Sequence, residues 1–219
     1  MSQHQAQAVQ RALEAFERGA PVCIHDAADR EGETDLLYPA SSVTPEAVAR
    51  LRNDGGGLLF VAVTGAVAEA FDLPFLHEVL DHPAADFEDV GYDSHPSFSL
   101  TVNHRDTYTG ITDNDRSTTI QALASAAAAP SSVDFAAEFR VPGHVHILRA
   151  AGGLLGERSG HTELGITLAQ AAGCAPAVAG CEMLDDTTGN ALSPSHARTY
   201  ADRHDLAYVE GADLIEALG

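Results

Sequence analysis

The chain has 219 residues, 45% of them hydrophobic, and carries 32 acids against 12 bases for a formal net charge of −20. All 12 bases are arginine. The lack of lysine excludes a Walker-type phosphate loop and a lysine Schiff base, and the acid excess argues against nucleic acid as a partner.

No apolar run reaches the length of a bilayer span, and no signal peptide opens the sequence, so a cytoplasmic protein with no membrane partner is expected. Cys23, Cys174 and Cys181 form no close pair, which points to reduced thiols rather than a disulfide framework or a zinc ribbon. A dispersed acid excess over normal apolar content suggests a halophilic, salt-adapted protein.

Taken in chain order, Val9, Leu13 and Phe16 are spaced by four and three and predict an amphipathic first helix. PVCIHD reads as a strand, and DLLYPA as a second strand beyond an acidic loop. PEAVARLRNDGGG reads as a helix with proline early and glycines after its end, followed by the buried strand LLFVAVTG. Residues 81–96 are acidic, hold two prolines and a glycine, and read as a mobile excursion. FSLTVNH alternates as a strand, DRSTTIQALASAAAA is a helix, VPG a turn and HVHILRA a strand. The glycine-rich GGLLGERSGH leads into the helix TELGITLAQAAG, then the strand PAVAGCEML, the helix SPSHARTYADRH, and a last strand and helix in LAYVEGADLIEAL. Alternating strands and helices predict an α/β fold: one layered α-β-α domain over residues 1–219 with a mixed sheet.

Several stretches could carry chemistry. HDAADREGETD packs five carboxylates (Asp26, Asp29, Glu31, Glu33, Asp35) and Arg30 between two apolar strands. Calcium-loop spacing fails there, because Thr34 and Ala40 occupy the places of the required glycine and glutamate. The loop is either a solvated acidic face or a site for proton transfer and substrate hydroxyls. In GERSGHTELG a glycine turn opens a helix, where free N–H groups, Arg158 and Thr162 could cradle a phosphate monoester. His161 stands in that first turn, where it could reach a cation or simply sit exposed beside a cap. His144 and His146 share a strand face without a third zinc ligand nearby in sequence; a histidine after Pro-Gly could equally be an acid or base. Glu182 lies in an apolar strand and is either paired, raised in pKa, or emerging into solvent. Thr112 precedes a helix start, where capping alone accounts for the hydroxyl and acid pattern.

In order along the chain, DREGETD, TGITDNDRSTTI, RVPGHVHILRA, GGLLGERSGHTE and CE resemble the 3,4-dihydroxy-2-butanone 4-phosphate synthase family of riboflavin biosynthesis. The resemblance runs from about Val22 to Glu182 and is similar to the single-function form, without a fused GTP cyclohydrolase II domain. It implies a lyase that converts ribulose 5-phosphate to 3,4-dihydroxy-2-butanone 4-phosphate and formate, using Mg²⁺ or Mn²⁺, as a homodimer with sites near the subunit interface. By motif, Glu31 and His161 match the metal ligands. Arg30, Glu31, Asp35, Arg158, Ser159, Gly160, His161 and Thr162 match substrate-binding positions. His144 and Glu182 match residues essential for catalysis; Glu33 and Asp26 are further candidate catalytic carboxylates, and Thr112 a further substrate position. Gly32 and Thr34 depart from a common RENEGD pattern, Phe60 replaces a frequent cysteine, and His146 replaces a frequent aromatic.

Two other readings fit parts of the pattern. One is a metal-dependent sugar-phosphate isomerase or aldolase, separated by whether formate is released. The other is an acidic binding module whose loop holds cations only for solubility, separated by Glu31→Gln.

Overall fold

The structure is a computed structural model that describes residues 1–26, 31–85 and 95–219. Arg30, Asp29 and most of the 81–96 excursion therefore lie outside the described residues.

Helix α1 (Gln3–Glu17) starts at Ser2, whose hydroxyl accepts the N–H of Gln5 while the Gln5 side chain returns to the Ser2 N–H. That reciprocal cap fixes where the amphipathic pattern begins. Strands β1 (Val22–His25) and β2 (Thr34–Pro39) pair antiparallel from Val22↔Leu37 to His25↔Thr34, so the acidic segment is the loop of a hairpin.

Helix α2 (Pro45–Arg50) is shorter than its sequence pattern predicts. It widens into a π turn over Leu51–Gly55, and Gly56 ends it with φ +89°. Next come β3 (Phe60–Val63), α3 (Gly65–Ala70) and α4 (Leu76–Val79), then β4 (Phe98–His104), α5 (Asp113–Ala128) and α6 (Phe135–Glu138). The short helices α3, α4 and α6 lack the length for a periodic signal and were not expected.

Strand β5 (Phe139–Arg149) corrects one expectation: the VPG stretch lies inside the strand rather than in a turn before it. The pairing with β4 shifts register there, from Val102↔Val145 to Asn103↔Arg140, so the extra residues bulge out of the ladder and the proline needs no N–H to give. A Cβ on Gly143 would lie 1.9 Å from the Val102 carbonyl carbon, so this crossing requires glycine. Helix α7 (His161–Ala171), β6 (Ala177–Glu182), α8 (Pro194–Arg203), β7 (Ala207–Glu210) and α9 (Gly211–Leu218) complete the chain.

Among the described residues seven strands form one sheet in the order β4-β5-β3-β6-β2-β1-β7. Pairs β1/β7 and β3/β5 are parallel and the rest antiparallel, which makes the sheet mixed as predicted. Alternation along each central strand sends residues to two cores. Cys23, Leu36, Val61, Ile147 and Ala179 pack under α2, α5 and α8. Ile24, Leu37, Phe60, Ala62 and Val178 pack under α1, α7 and α9. The sandwich is the expected α-β-α layering. On the second face the packed helices meet β7, β1, β2, β6 and β3, and the cavity described next opens where that layer stops, at β3 and β5.

Candidate active site

A cavity of about 320 Å³ opens beside the N-terminus of α7. It brings together sequence-distant residues: Glu31, Glu33 and Asp35 from the hairpin, Arg158, His161 and Thr162 from the loop and first turn of α7, and Glu182 from the end of β6. Asp35 pairs with Glu182 across β2 and β6, so the sheet register alone sets two carboxylates side by side. Phe60, Leu148 and Phe98 supply the apolar wall, with Pro96 and Ser97 at its margin.

The hairpin loop is organised by Asp26. Its carboxylate accepts the N–H of Glu33 at 3.0 Å and of Glu31 at 3.3 Å, and its own N–H donates to the Glu33 carbonyl at 3.1 Å. One buried side chain thus sets the direction in which the two glutamates leave the backbone. Ligand atoms of Asp26, Glu31 and His161 lie within 4.8 Å of one another, close enough to share one ion.

His161 is nearly sealed from solvent, with Nδ1 3.5 Å from the Glu31 carboxylate and 3.7 Å from that of Asp35. Its Nε2 and Asp35 Oδ1 are buried with no hydrogen-bond partner among the described residues. Such orphaned atoms are costly unless something else engages them. Carboxylate oxygens with one imidazole nitrogen suit a divalent cation of the magnesium or manganese type, so the residues present fit an ion.

Protonation follows from the same crowding. Burial pushes the Asp35 carboxyl up to about 8; the His161 charge opposes this, and Glu182, Glu31 and Glu33 add to it. Burial alone would lower His161, but the carboxylates of Asp35, Glu31 and Asp26 outweigh it and raise the imidazole to about 9. Burial raises Glu33 as well, reinforced by Glu31 and Glu182. Both members of the Asp35–His161 pair thus hold protons more tightly than free side chains do.

Glu182 is held from behind by the glycines that end the π turn. Its Oε2 accepts the Leu58 N–H at 2.6 Å, and a Cβ on Gly57 would fall 2.4 Å from that oxygen. The sequence pattern showed these glycines only as a helix end; their second task, letting backbone close on a carboxylate, needs the sheet register to be seen.

His144 and Thr112 are not among the residues lining the cavity of this chain. They belong to a second cluster at the β4–β5 end. Asn103 Oδ1 accepts the backbone N–H of His144 at 2.8 Å, and Thr112 caps α5 by accepting the Asp115 N–H at 3.1 Å. Ser159 and Gly160 lie in the loop entering α7, where Gly160 is the N-cap. Arg30 is outside the described residues.

Comparison with known proteins gives the family. The sequence profile of 3,4-dihydroxy-2-butanone 4-phosphate synthase matches residues 10–217. The chain belongs to the 3,4-dihydroxy-2-butanone 4-phosphate synthase family. A member from Archaeoglobus fulgidus is 48% identical, covering 94% of this chain and 92% of the relative. One from Methanothermobacter thermautotrophicus is 42% identical over 95% of each. A crystal structure of 3,4-dihydroxy-2-butanone 4-phosphate synthase in complex with two magnesium ions superposes with a TM-score of 0.82 at 30% identity, covering 95% of both chains. The Candida albicans synthase superposes with a TM-score of 0.79 at 29% identity, covering 96% of this chain and 97% of that one. Family membership makes this chain an enzyme of riboflavin biosynthesis.

Proposed function

We propose that the cavity is the site at which ribulose 5-phosphate becomes 3,4-dihydroxy-2-butanone 4-phosphate and formate, a lyase reaction assisted by Mg²⁺ or Mn²⁺. The observation that carries the reading is the convergence of the hairpin carboxylates, His161 and Arg158 on one cavity. The products together contain the atoms of the substrate, so the chemistry needs proton carriers and an electrophile but no oxidant.

Asp26, Glu31 and His161 would hold the ion, which when bound supplies Lewis acidity to the sugar oxygens. Arg158, Thr162 and the N–H groups at the start of α7 would take the phosphate, where the helix dipole favours an anion. That fixes the pentulose with its carbonyl end toward the carboxylates. Glu33, Asp35 and Glu182 then lie where protons must leave and return as an enediolate forms, water is lost, the carbon skeleton shifts and a water is taken up again to release formate. Burial raises the Asp35 carboxyl in the metal-free site, the direction an aspartate needs to serve as an acid. Phe60 and Leu148 supply the apolar wall of the cavity.

His144 is not among the cavity-lining residues, and we assign it to the site of a second copy in a homodimer. The surface around it supports this: Tyr108 is 93% exposed, Ile111 51% and Val141 52%, an apolar patch beside His144 and Thr112 that a second subunit would cover. Among the described residues no helix is long and apolar enough to cross a membrane, and a cytoplasmic setting with salt adaptation suits the −20 charge. Glu31→Gln tests the assignment: turnover of ribulose 5-phosphate should vanish while the circular dichroism spectrum is unchanged. Retained turnover would contradict it.

A further inference from the structure

Glu163 stands in the first turn of α7, has no exposed surface, and is not among the cavity-lining residues. Its carboxylate nevertheless accepts three hydrogen bonds from the loop that builds the cavity rim. They come from the Ala151 N–H at 2.9 Å, the Gly160 N–H at 3.2 Å and Arg158 Nη1 at 2.7 Å. One buried anion thus ties the two ends of the 151–160 loop to each other and to the arginine that faces the cavity. A second carboxylate, Glu157, accepts the Gly153 N–H at 2.9 Å and closes the loop's tip.

The arrangement is costly to build without a purpose for Arg158. A buried carboxylate stripped of partners is strongly unfavourable, so Glu163 requires its three donors. In return the guanidinium is held in one orientation before any ligand arrives, and the loop that carries it cannot drift. An arginine ordered in advance loses less freedom when it meets a phosphate, and the fork of its donors is then aimed. Pairing lowers the positive potential of Arg158, and the N–H groups at the start of α7 offset this.

We propose that Glu163 is a positioning residue, acting through Arg158 and the α7 N-terminus to make the site selective for a phosphorylated over an unphosphorylated pentulose. This rests on the phosphate assignment made above, and it assigns the selectivity to a residue that never touches the substrate.

The test uses the full-length enzyme with Mg²⁺ and compares wild type, Glu163→Gln and Arg158→Gln. The glutamine variant keeps the shape and loses the charge. It should raise KM for ribulose 5-phosphate and the inhibition constant of inorganic phosphate by about tenfold, with a smaller fall in kcat. The double variant Arg158→Gln with Glu163→Gln should bind phosphate no worse than Arg158→Gln alone, because both act through one guanidinium. This comparison also serves if Glu163→Gln alone fails to fold, since two neutral amides leave no unpaired charge. A folded Glu163→Gln enzyme with unchanged phosphate inhibition, or additive losses in the double variant, would overturn the proposal. A wild-type enzyme that released no formate and was indifferent to phosphate would instead overturn the phosphate assignment itself, so the two failures are distinguishable.

Discussion

The Asn103 amide holds His144 at two points: Oδ1 accepts the backbone N–H at 2.8 Å, and Nδ2 lies 3.2 Å from the ring Nδ1. Oδ1 also lies 3.3 Å from the ring Nδ1, so both ends of the amide are within reach of that nitrogen. Asn103 is itself 4% exposed and wedged against Gly110, whose φ of +87° brings its backbone onto the amide. Asn103→Ala should lower kcat for formate release by roughly tenfold or more, a part of the 10²–10⁴-fold that general acid–base catalysis supplies. KM should change little. Steady-state kinetics on a variant with an unchanged melting temperature checks it, and an unchanged kcat would show that His144 needs no such support.

The separation of His144 from the cavity leads to a complementation experiment. His144→Ala and Glu182→Gln homodimers should each be inactive. If each site draws one residue from either subunit, unfolding and refolding them together should restore about a quarter of wild-type activity, since half the dimers would then carry one intact site. Activity that stays at the background of the two parents would place both residues in one subunit's site, or leave His144 outside it.

The crowded acids make stability depend on pH with a definite sign. Asp35 rises from 3.8 to about 8 on folding and His161 from 6.5 to about 9, so the folded state binds more protons than the unfolded chain. A raised folded pKa gives stability that is present below the unfolded value and lost as pH climbs toward the folded one. In the metal-free enzyme the melting temperature should therefore fall between pH 6.5 and 9, with Glu33 acting in the same direction. Asp35→Asn should flatten the slope. Mg²⁺ should displace a proton from the Asp26–Glu31–His161 group, so calorimetry in buffers of different ionisation enthalpy should show proton release on binding. Binding without proton release would contradict this ligand set.

Gly57 gives a sharper test of Glu182. Alanine there places a methyl 2.4 Å from Glu182 Oε2, 2.8 Å from its Cβ and 2.9 Å from its backbone carbonyl oxygen, so the carboxylate and the strand end that carries it must both shift. Gly57→Ala should reduce kcat by at least about tenfold, comparable with losing a positioned acid or base, and lower the melting temperature as the backbone gives way. A variant with wild-type kcat would show that Glu182 need not occupy this rotamer.

Much of the architecture was legible because its signals are local. Strand and helix alternation, the capping pattern at Thr112 and the early Pro45 are each read within a few residues. The strand through Val141–Gly143 was not, because Pro-Gly normally marks a turn and only pairing with the bulged β4 makes it extended. The same division holds for the site. Glu31, Asp35, Arg158, His161 and Glu182 stood out as chemistry-bearing groups in recognisable motifs, and the sheet brings them together. Glu163 and Asn103 did not, because one looks like a helix cap and the other like an ordinary strand residue until their partners are seen. The wall of Phe60, Leu148 and Phe98 is equally silent in sequence, since apolar strand residues look alike whether they face a core or a cavity.

The most direct measurement is formate produced from ribulose 5-phosphate by the purified enzyme at high salt, with and without Mg²⁺. One formate per pentulose phosphate consumed, abolished by chelation and restored by Mg²⁺, is the predicted result. Sugar phosphate consumed without formate, or formate released equally well in the presence of a chelator, would contradict it.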